Sequence, residues 1–219
     1  MNITILGASG NVGSRLAAQA LAAGHRVTGL VRTPSALPQR LSEAGGLRIV
    51  EGSVEQSGPL LEALDGADVA VVCITGSMTR GDFMTQRFPA ILEAARQAGV
   101  GRVLLISVFG AGDTAAKASL PARLLYRTAL RGFLGDRARA DAMLEASGLP
   151  FTIAYPVNLK DAPAGQPATV LPLSEVKSVP GLPTLPFDAA AAALLGLAED
   201  ESTAGQRLLI TTPGGVRRA

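Results

Sequence analysis

The stretch Asn2-Ile3-Thr4-Ile5-Leu6-Gly7-Ala8-Ser9-Gly10-Asn11-Val12-Gly13 decides how the rest of the chain is read. A short apolar run with β-branched residues enters a glycine-rich turn, and an alanine/leucine helix pattern starts at Ser14 and stops at Gly24. Each glycine has a separate use in that order. Gly7 permits a tight turn, Gly10 lets a ligand approach the backbone, and Gly13 allows the helix to pack closely on the strand. The free N–H groups at the helix start then face the turn, which suits a pyrophosphate. The spacing G-x-x-G-x-x-G is weak alone and gains force from the strand before it and the helix after it.

Further apolar runs recur at 27–31, 47–50, 69–74, 103–106, 151–154 and 208–211, with helical patterns between most of them. Short apolar strands alternating with helices predict parallel pairing with both sheet faces covered. Right-handed crossovers then give an α/β, Rossmann-type doubly wound sheet of about seven mostly parallel strands, within one domain spanning 1–219. A helix is predicted over 82–98, with Phe83, Phe88, Ile91, Leu92 and Ala95 on its core face. The region 120–146 reads as two helices interrupted by Gly132 and Gly135, with Asp136 capping the second. Arg123, Arg127 and Arg131 repeat every four residues and read as a solvated face. The segment 161–186 carries Pro163, Pro167, Pro172, Pro180, Pro183 and Pro186. It excludes a long helix and reads as a loop or small irregular subdomain covering the substrate.

Composition narrows the class. The 20 basic and 18 acidic side chains leave a net charge of +2 and are spread along the chain, which argues against a nucleic-acid partner. The lone Cys73 permits no internal disulfide and no cysteine metal site, so a reducing, cytoplasmic setting without metal is expected. No apolar run approaches the ~18 residues that would cross a bilayer, so no membrane association is expected either. The expected partner is a small-molecule substrate, with the chain as a monomer or homodimer. His25 lies in the turn before the second strand and reads as a surface or structural residue.

Cofactor choice is read at the end of the second strand, where an acidic residue would bond the ribose hydroxyls of NAD. Arg32 stands there, followed by Thr33 and Ser35, so a 2′-phosphate and hence NADP (NADPH) is favoured.

Several longer stretches then point the same way: GASGNVG at 7–13, GLVR at 29–32, EGSVEQSGPLLEALDGADVAVVCIT at 51–75, AARQAGVGRVLLIS at 94–107 and ASGLPFTIAYP at 146–156. In this order the chain resembles the atypical short-chain dehydrogenases/reductases of the NAD(P)H-binding, NmrA-like type, which include flavin and biliverdin reductases. The resemblance implies that Gly7, Ser9, Gly10, Asn11, Val12 and Gly13 hold the pyrophosphate and Arg32 the adenosine phosphate. It puts Ser53 and Val54 beside the adenine, with serine where an acidic residue is common, and Cys73, Ile74 and Thr75 along the cofactor. Ser107 falls where related reductases carry an active-site serine. Tyr155, Pro156 and Val157 should border the nicotinamide, with Tyr155 as proton donor or stacking platform.

One departure changes the chemistry. Ordinary short-chain dehydrogenases use Tyr-x-x-x-Lys; no such pair exists here, and the family resemblance puts Phe133 and Arg137 at those places. Hydride delivery to an isolated ketone creates an alkoxide that needs a proton donor at once, whereas a flavin or quinone spreads the charge over its rings. The sequence therefore points to an NADPH-dependent reductase of a flat conjugated acceptor. A non-catalytic NADP-binding regulator, or an isomerase or cyclase on the same fold, stays open.

Overall fold

A computed structural model describes residues 1–43, 45–76, 81–163 and 165–219, without the side chains of Arg40 and Ser42. The strands are β1 (Asn2–Leu6), β2 (Arg26–Val31), β3 (Leu47–Glu51), β4 (Val69–Val72), β5 (Arg102–Ile106), β6 (Phe151–Pro156), β7 (Asn158–Lys160), β8 (Thr169–Pro172), β9 (Val176–Ser178), β10 (Thr184–Pro186), β11 (Gln206–Thr211) and β12 (Arg217–Arg218). The helices are α1 (Asn11–Ala22), α2 (Gln39–Ser42), α3 (Ser57–Leu64), α4 (Phe83–Gln97), α5 (Leu120–Arg127), α6 (Arg131–Glu145) and α7 (Phe187–Glu199).

The central sheet has the order β3-β2-β1-β4-β5-β6-β11-β8, parallel except for β8. This is the doubly wound arrangement expected from the alternating runs, with one strand more. The eighth strand comes from the proline-rich segment: β8 lies antiparallel on the edge, with Pro172 opposite Leu208. A proline is tolerated there because only one side of an edge strand needs its N–H groups. The same segment supplies β9, paired with β12, and β10, paired with β7. Ala164, within that segment, lies outside the described residues.

The inner strands β4 and β5 are buried along their whole length and are continuous apolar runs apart from Arg102, as parallel strands covered on both faces must be. On one face α1 packs against α7, and on the other α4 packs against α3 and α6. Arg102 sits at the start of β5 with 6 % exposure and donates to the carbonyls of Ala198 and Asp200 and the hydroxyls of Thr152 and Thr203. These bonds satisfy carbonyls at the C-terminal end of α7 and tie it to the sheet.

Two helices do occupy the region 120–146, but the break falls at 128–130 and not at the glycines. Gly132 is kept for another reason: its backbone packs on Gly81, where an added Cβ would lie 2.7 Å from the Gly132 carbonyl group. Asp136 is therefore inside α6 and does not cap it, a correction to the sequence reading. Its buried carboxylate accepts from the backbone N–H groups of Met84 (2.7 Å) and Thr85 (2.9 Å) and from the Thr85 hydroxyl (2.6 Å), so it closes the start of α4. Burial works against the charge, but those bonds and Arg139 outweigh it and hold the carboxyl below its ordinary range. Arg123, Arg127 and Arg131 are exposed, as a solvated face requires.

Asp136→Ala leaves buried N–H donors of α4 without a partner. The expected cost is on the order of 3 kcal/mol, read from the denaturant midpoint, with Asp136→Asn losing clearly less.

Candidate functional site

The order of the sheet reverses between β1 and β4, and a crevice opens at the C-terminal ends of the strands there. A cleft of about 580 Å³ occupies it, floored by Gly7, Ser9 and Gly10 and continuing past Arg32, Ser53, Val54, Cys73, Ile74 and Thr75. The glycine turn has the geometry its sequence implies. Gly7 has φ of +94°, a conformation that glycine adopts without strain, and its carbonyl accepts from Gly10 N–H at 3.0 Å. A Cβ on Gly13 would stand 2.3 Å from the Gly7 carbonyl oxygen, so the helix approaches the turn to a distance only glycine allows.

The start of α1 carries no side-chain cap and no acidic residue in its first turn, which leaves its N–H groups and the positive end of its dipole for an anion. Asn11 and Val12 form that first turn, and Gly13 is buried behind it. Arg32 lines the cleft, is exposed, and has no hydrogen bond or ion pair among the described residues. Burial pushes the Cys73 thiol up to about 12, so the sulfur is a neutral wall group and no nucleophile.

The cleft lining also includes Phe83, Arg87 and Glu55, which the sequence reading did not assign to a site. Phe83 was assigned to the core face of α4, but it lines the cleft while Met84 takes the buried position. The Arg87 guanidinium lies 4.5 Å from the centre of the Phe83 ring and pairs with Glu55 across the cleft. Arg87 follows Phe83 by four residues, the helical spacing that stacks side chains on one face, and that spacing was the available signal.

Ser107, Tyr155, Pro156 and Val157 are not among the residues lining this cleft. They lie beyond it at the ends of β5 and β6, in a buried cluster. Ser107, 1 % exposed, donates its hydroxyl to Asp141 Oδ2 at 3.0 Å, and the Tyr155 hydroxyl donates to the same oxygen at 3.0 Å. Arg207 donates from Nε to the Tyr155 hydroxyl (3.0 Å) and grips Asp113 with both terminal nitrogens. Tyr155 is fully buried, so the expectation that it stacks on a substrate or hands it a proton is corrected: its ring is covered and its hydroxyl is committed on both sides. Pro156 and Val157 serve the sheet, their backbone pairing with Phe109 and Ile210.

The decisive groups missed by the sequence reading are Asp141 and Arg207. Phe133, Arg137 and Asp141 follow at intervals of four along one stripe of α6, the stripe that also buries Leu134 and Leu144. Charged residues inside a buried stripe were the signal for them. Arg137 is 1 % exposed, sits over the Phe133 ring, and donates to the carbonyls of Ile74 (3.1 Å) and Ile106 (3.5 Å). It thereby ties the ends of β4 and β5 together, and burial lowers it to about 10, where it remains charged at neutral pH.

Burial raises the Asp141 carboxyl to about 6, and the bonds from Ser107 and Tyr155 with the charges of Arg207 and Arg137 only partly offset that. Its Oδ1 has no partner, and neither does Arg137 Nε. Among the described residues no group of three or more His, Cys, Asp or Glu side chains is placed to hold a metal, and no helix is long and apolar enough to cross a membrane. His25 pairs with Glu199 at 2.8 Å, at the end of the sheet away from the cleft.

A model of the family described as NAD(P)H-binding matches residues 7–198, from the glycine turn to the last helix. The chain belongs to this family. Phenylcoumaran benzylic ether reductase IRL1 of Ginkgo biloba is 27 % identical over 156 residues, 68 % of this chain and 46 % of that protein. The chain thus spans about half the length of that relative. A short-chain dehydrogenase/reductase of Veillonella parvula, solved in complex with NADP, superposes with a TM-score of 0.82 at 22 % identity, covering 99 % of this chain and 96 % of the other. ChuY of Escherichia coli O157:H7, an anaerobilin reductase, gives 0.77 at 22 % identity over 97 % and 98 %. At such identities the superpositions establish the fold, and they agree with the atypical short-chain reductase resemblance seen in the sequence.

A carboxyl raised in the folded state costs stability wherever it must ionise. Unfolded and folded chains both hold the Asp141 proton well below pH 4, and the cost grows as pH rises to about 6. Asp141→Asn is therefore expected to stabilise the protein at pH 7–8 by on the order of 2 kcal/mol and not at pH 3.5, as thermal melts at the two pH values would show.

Proposed function

We propose that the chain is an NADPH-dependent reductase that delivers hydride to a flat conjugated acceptor of the quinone, flavin or tetrapyrrole kind. The observation that carries this is Arg32, without a partner among the described residues, on the cleft beside a glycine turn whose helix start is left open. The cradle fits a dinucleotide: the N–H groups from Ser9 to Val12 would hold the pyrophosphate, Arg32 the 2′-phosphate, and Ser53, Val54, Phe83 and Arg87 would flank the adenine. Cys73, Ile74 and Thr75 would carry the nicotinamide half along the end of β4.

When bound, the reduced nicotinamide supplies the hydride. The chain's own task is to orient the acceptor over it and exclude water, which suffices for a ring system that spreads the incoming charge. Phe133 in place of a tyrosine fits such an acceptor better than an isolated alcohol or ketone. The proline-rich segment 161–186 covers the substrate in this reading, since β7 leaves the sheet directly beyond the C-terminal end of β6. The reductase names of the Ginkgo and Escherichia proteins support the same reaction class.

NADPH oxidation followed at 340 nm with a panel of quinones, flavins, bilins and simple ketones tests the reading. Turnover with conjugated acceptors and little with simple ketones is expected; tight NADPH binding with no turnover on any acceptor contradicts it. Arg32→Ala should weaken NADPH binding by roughly 10- to 100-fold, the worth of a charge-assisted hydrogen bond, and leave NADH binding nearly unchanged. Calorimetric titration of both cofactors checks this, and equal losses for the two would remove Arg32 from the phosphate.

A further inference from the structure

Among the described residues the large apolar side chains left exposed are Met1 and four leucines, and the four leucines lie together. Leu120, Leu124 and Leu125 belong to α5, and Leu182 follows Gly181, whose carbonyl accepts the Ser119 hydroxyl at 3.0 Å. Val179 strengthens this junction, its N–H bonded to the Lys117 carbonyl at 2.7 Å. The helix is fastened from its other side. Ala122 is buried, and the Tyr126 ring covers Gly110, where an added Cβ would stand 2.7 Å from it. Leu120 and Leu124, four residues apart, therefore form an outward ridge, 77 % and 67 % exposed. Single leucines scattered on a surface need no explanation, but four in one patch do.

The charge around the ridge is almost wholly of one sign. Arg123 and Arg127 stand beside it on α5 and Arg131 opens α6; all three are exposed, and their side chains have no hydrogen bond or ion pair among the described residues. No acidic residue lies in α5. Next to Val179, β9 and β12 add the exposed Lys177, Arg217 and Arg218, with Glu175 just before them. A second copy of the chain is a poor occupant, because a two-fold contact through α5 would set these arginines against their own equivalents. A nucleic acid fits no better, since leucines stand where bases or phosphates would have to sit. Leucines this exposed are knobs and not the walls of a groove, so the partner has to receive them.

We propose that α5 and the Leu182 turn form a docking surface for an anionic lipid bilayer. Leu120, Leu124 and Leu182 enter the boundary between headgroups and acyl chains, and Arg123, Arg127 and Arg131 bond the lipid phosphates. A bilayer supplies both halves of what this surface lacks, a yielding apolar layer and a sheet of negative charge above it. Arginine suits the boundary, since its apolar stem lies along the leucines while its guanidinium reaches the phosphates. The helix lies along the membrane and does not enter as a span, so the lack of a crossing helix among the described residues has no bearing on it. α5 follows the C-terminal end of β5, the end of the sheet at which the crevice opens, so docking brings that end near the lipid. The surface stands apart from the lining of the cleft and does not depend on the reductase reading.

Co-sedimentation of the full chain with vesicles tests the proposal. Vesicles of equal parts phosphatidylcholine and phosphatidylglycerol should carry the protein down, and phosphatidylcholine alone should hold about tenfold less. Raising the salt from ~0.1 to ~0.5 M should release it. Leu120→Gln with Leu124→Gln, and Arg123→Gln with Arg127→Gln, should each weaken binding about tenfold or more. Arg26→Gln, a charge removed at the opposite end of the sheet, should leave binding unchanged, and thermal melts check that each variant is folded. The chain has no tryptophan, so Leu124→Trp places a lone indole on the ridge, and its emission should move to shorter wavelength with the anionic vesicles alone. Equal binding to both vesicles, binding to neither, an unshifted indole, or undiminished binding by the leucine variant overturns the proposal. A concentration-dependent dimer that the leucine variant loses gives the face to a second copy and overturns it too, as does an acidic protein that binds this face while vesicles do not.

Discussion

The approach of α1 to the turn at Gly7 is the constraint on which the rest depends. A Cβ at Gly13 would stand 2.3 Å from the Gly7 carbonyl, so helix and turn meet through backbone alone. That contact aims the uncapped start of α1 across the crevice and sets the floor between β1 and β4. Because the sheet reverses direction at the same place, the helices on its two faces diverge and leave an opening that no side chain of the core fills. Arg32 and Cys73 through Thr75 reach the cleft because their strands run parallel to β1 and end at the same level.

Across the crevice the chain balances stability against chemistry. Asp136 and Asp141 lie five residues apart on α6 and have opposite fates. Asp136 meets three donors and stays ionised; Asp141 meets two hydroxyls and an empty side, and burial keeps it near neutrality. The first fastens α4 in place. The second costs stability when charged, the kind of cost that accumulates where a protein keeps a reactive group. Arg137, between them in sequence, spans the ends of β4 and β5 with a buried charge whose Nε has no partner.

Much of this was legible in the sequence because its signals are local. Continuous apolar runs gave the parallel strands, the three glycines gave the tight turn before α1, and the basic residue after β2 lines the cleft. What escaped depends on contacts distant in the chain. Asp136 reads as a cap and is one, but for a helix some fifty residues earlier. Tyr155 reads as an active-site group by its place near the end of β6, yet strand alternation turns its ring toward α6. Arg207 has no local pattern and acquires meaning only when β11 brings it beside Tyr155. The edge strand Thr169–Pro172 was hidden because prolines signal loops, and only its position at the border of the sheet makes them acceptable.

The central proposal is that the crevice between β1 and β4 holds NADP on the Gly7 turn, with the 2′-phosphate on Arg32. A crystal structure of the chain with NADP bound tests that most directly. The pyrophosphate should lie on the N–H groups after Gly7, the 2′-phosphate on Arg32, and the nicotinamide over Cys73 to Thr75. A pyrophosphate away from the Gly7 turn, or a 2′-phosphate left in solvent with Arg32 elsewhere, would contradict it.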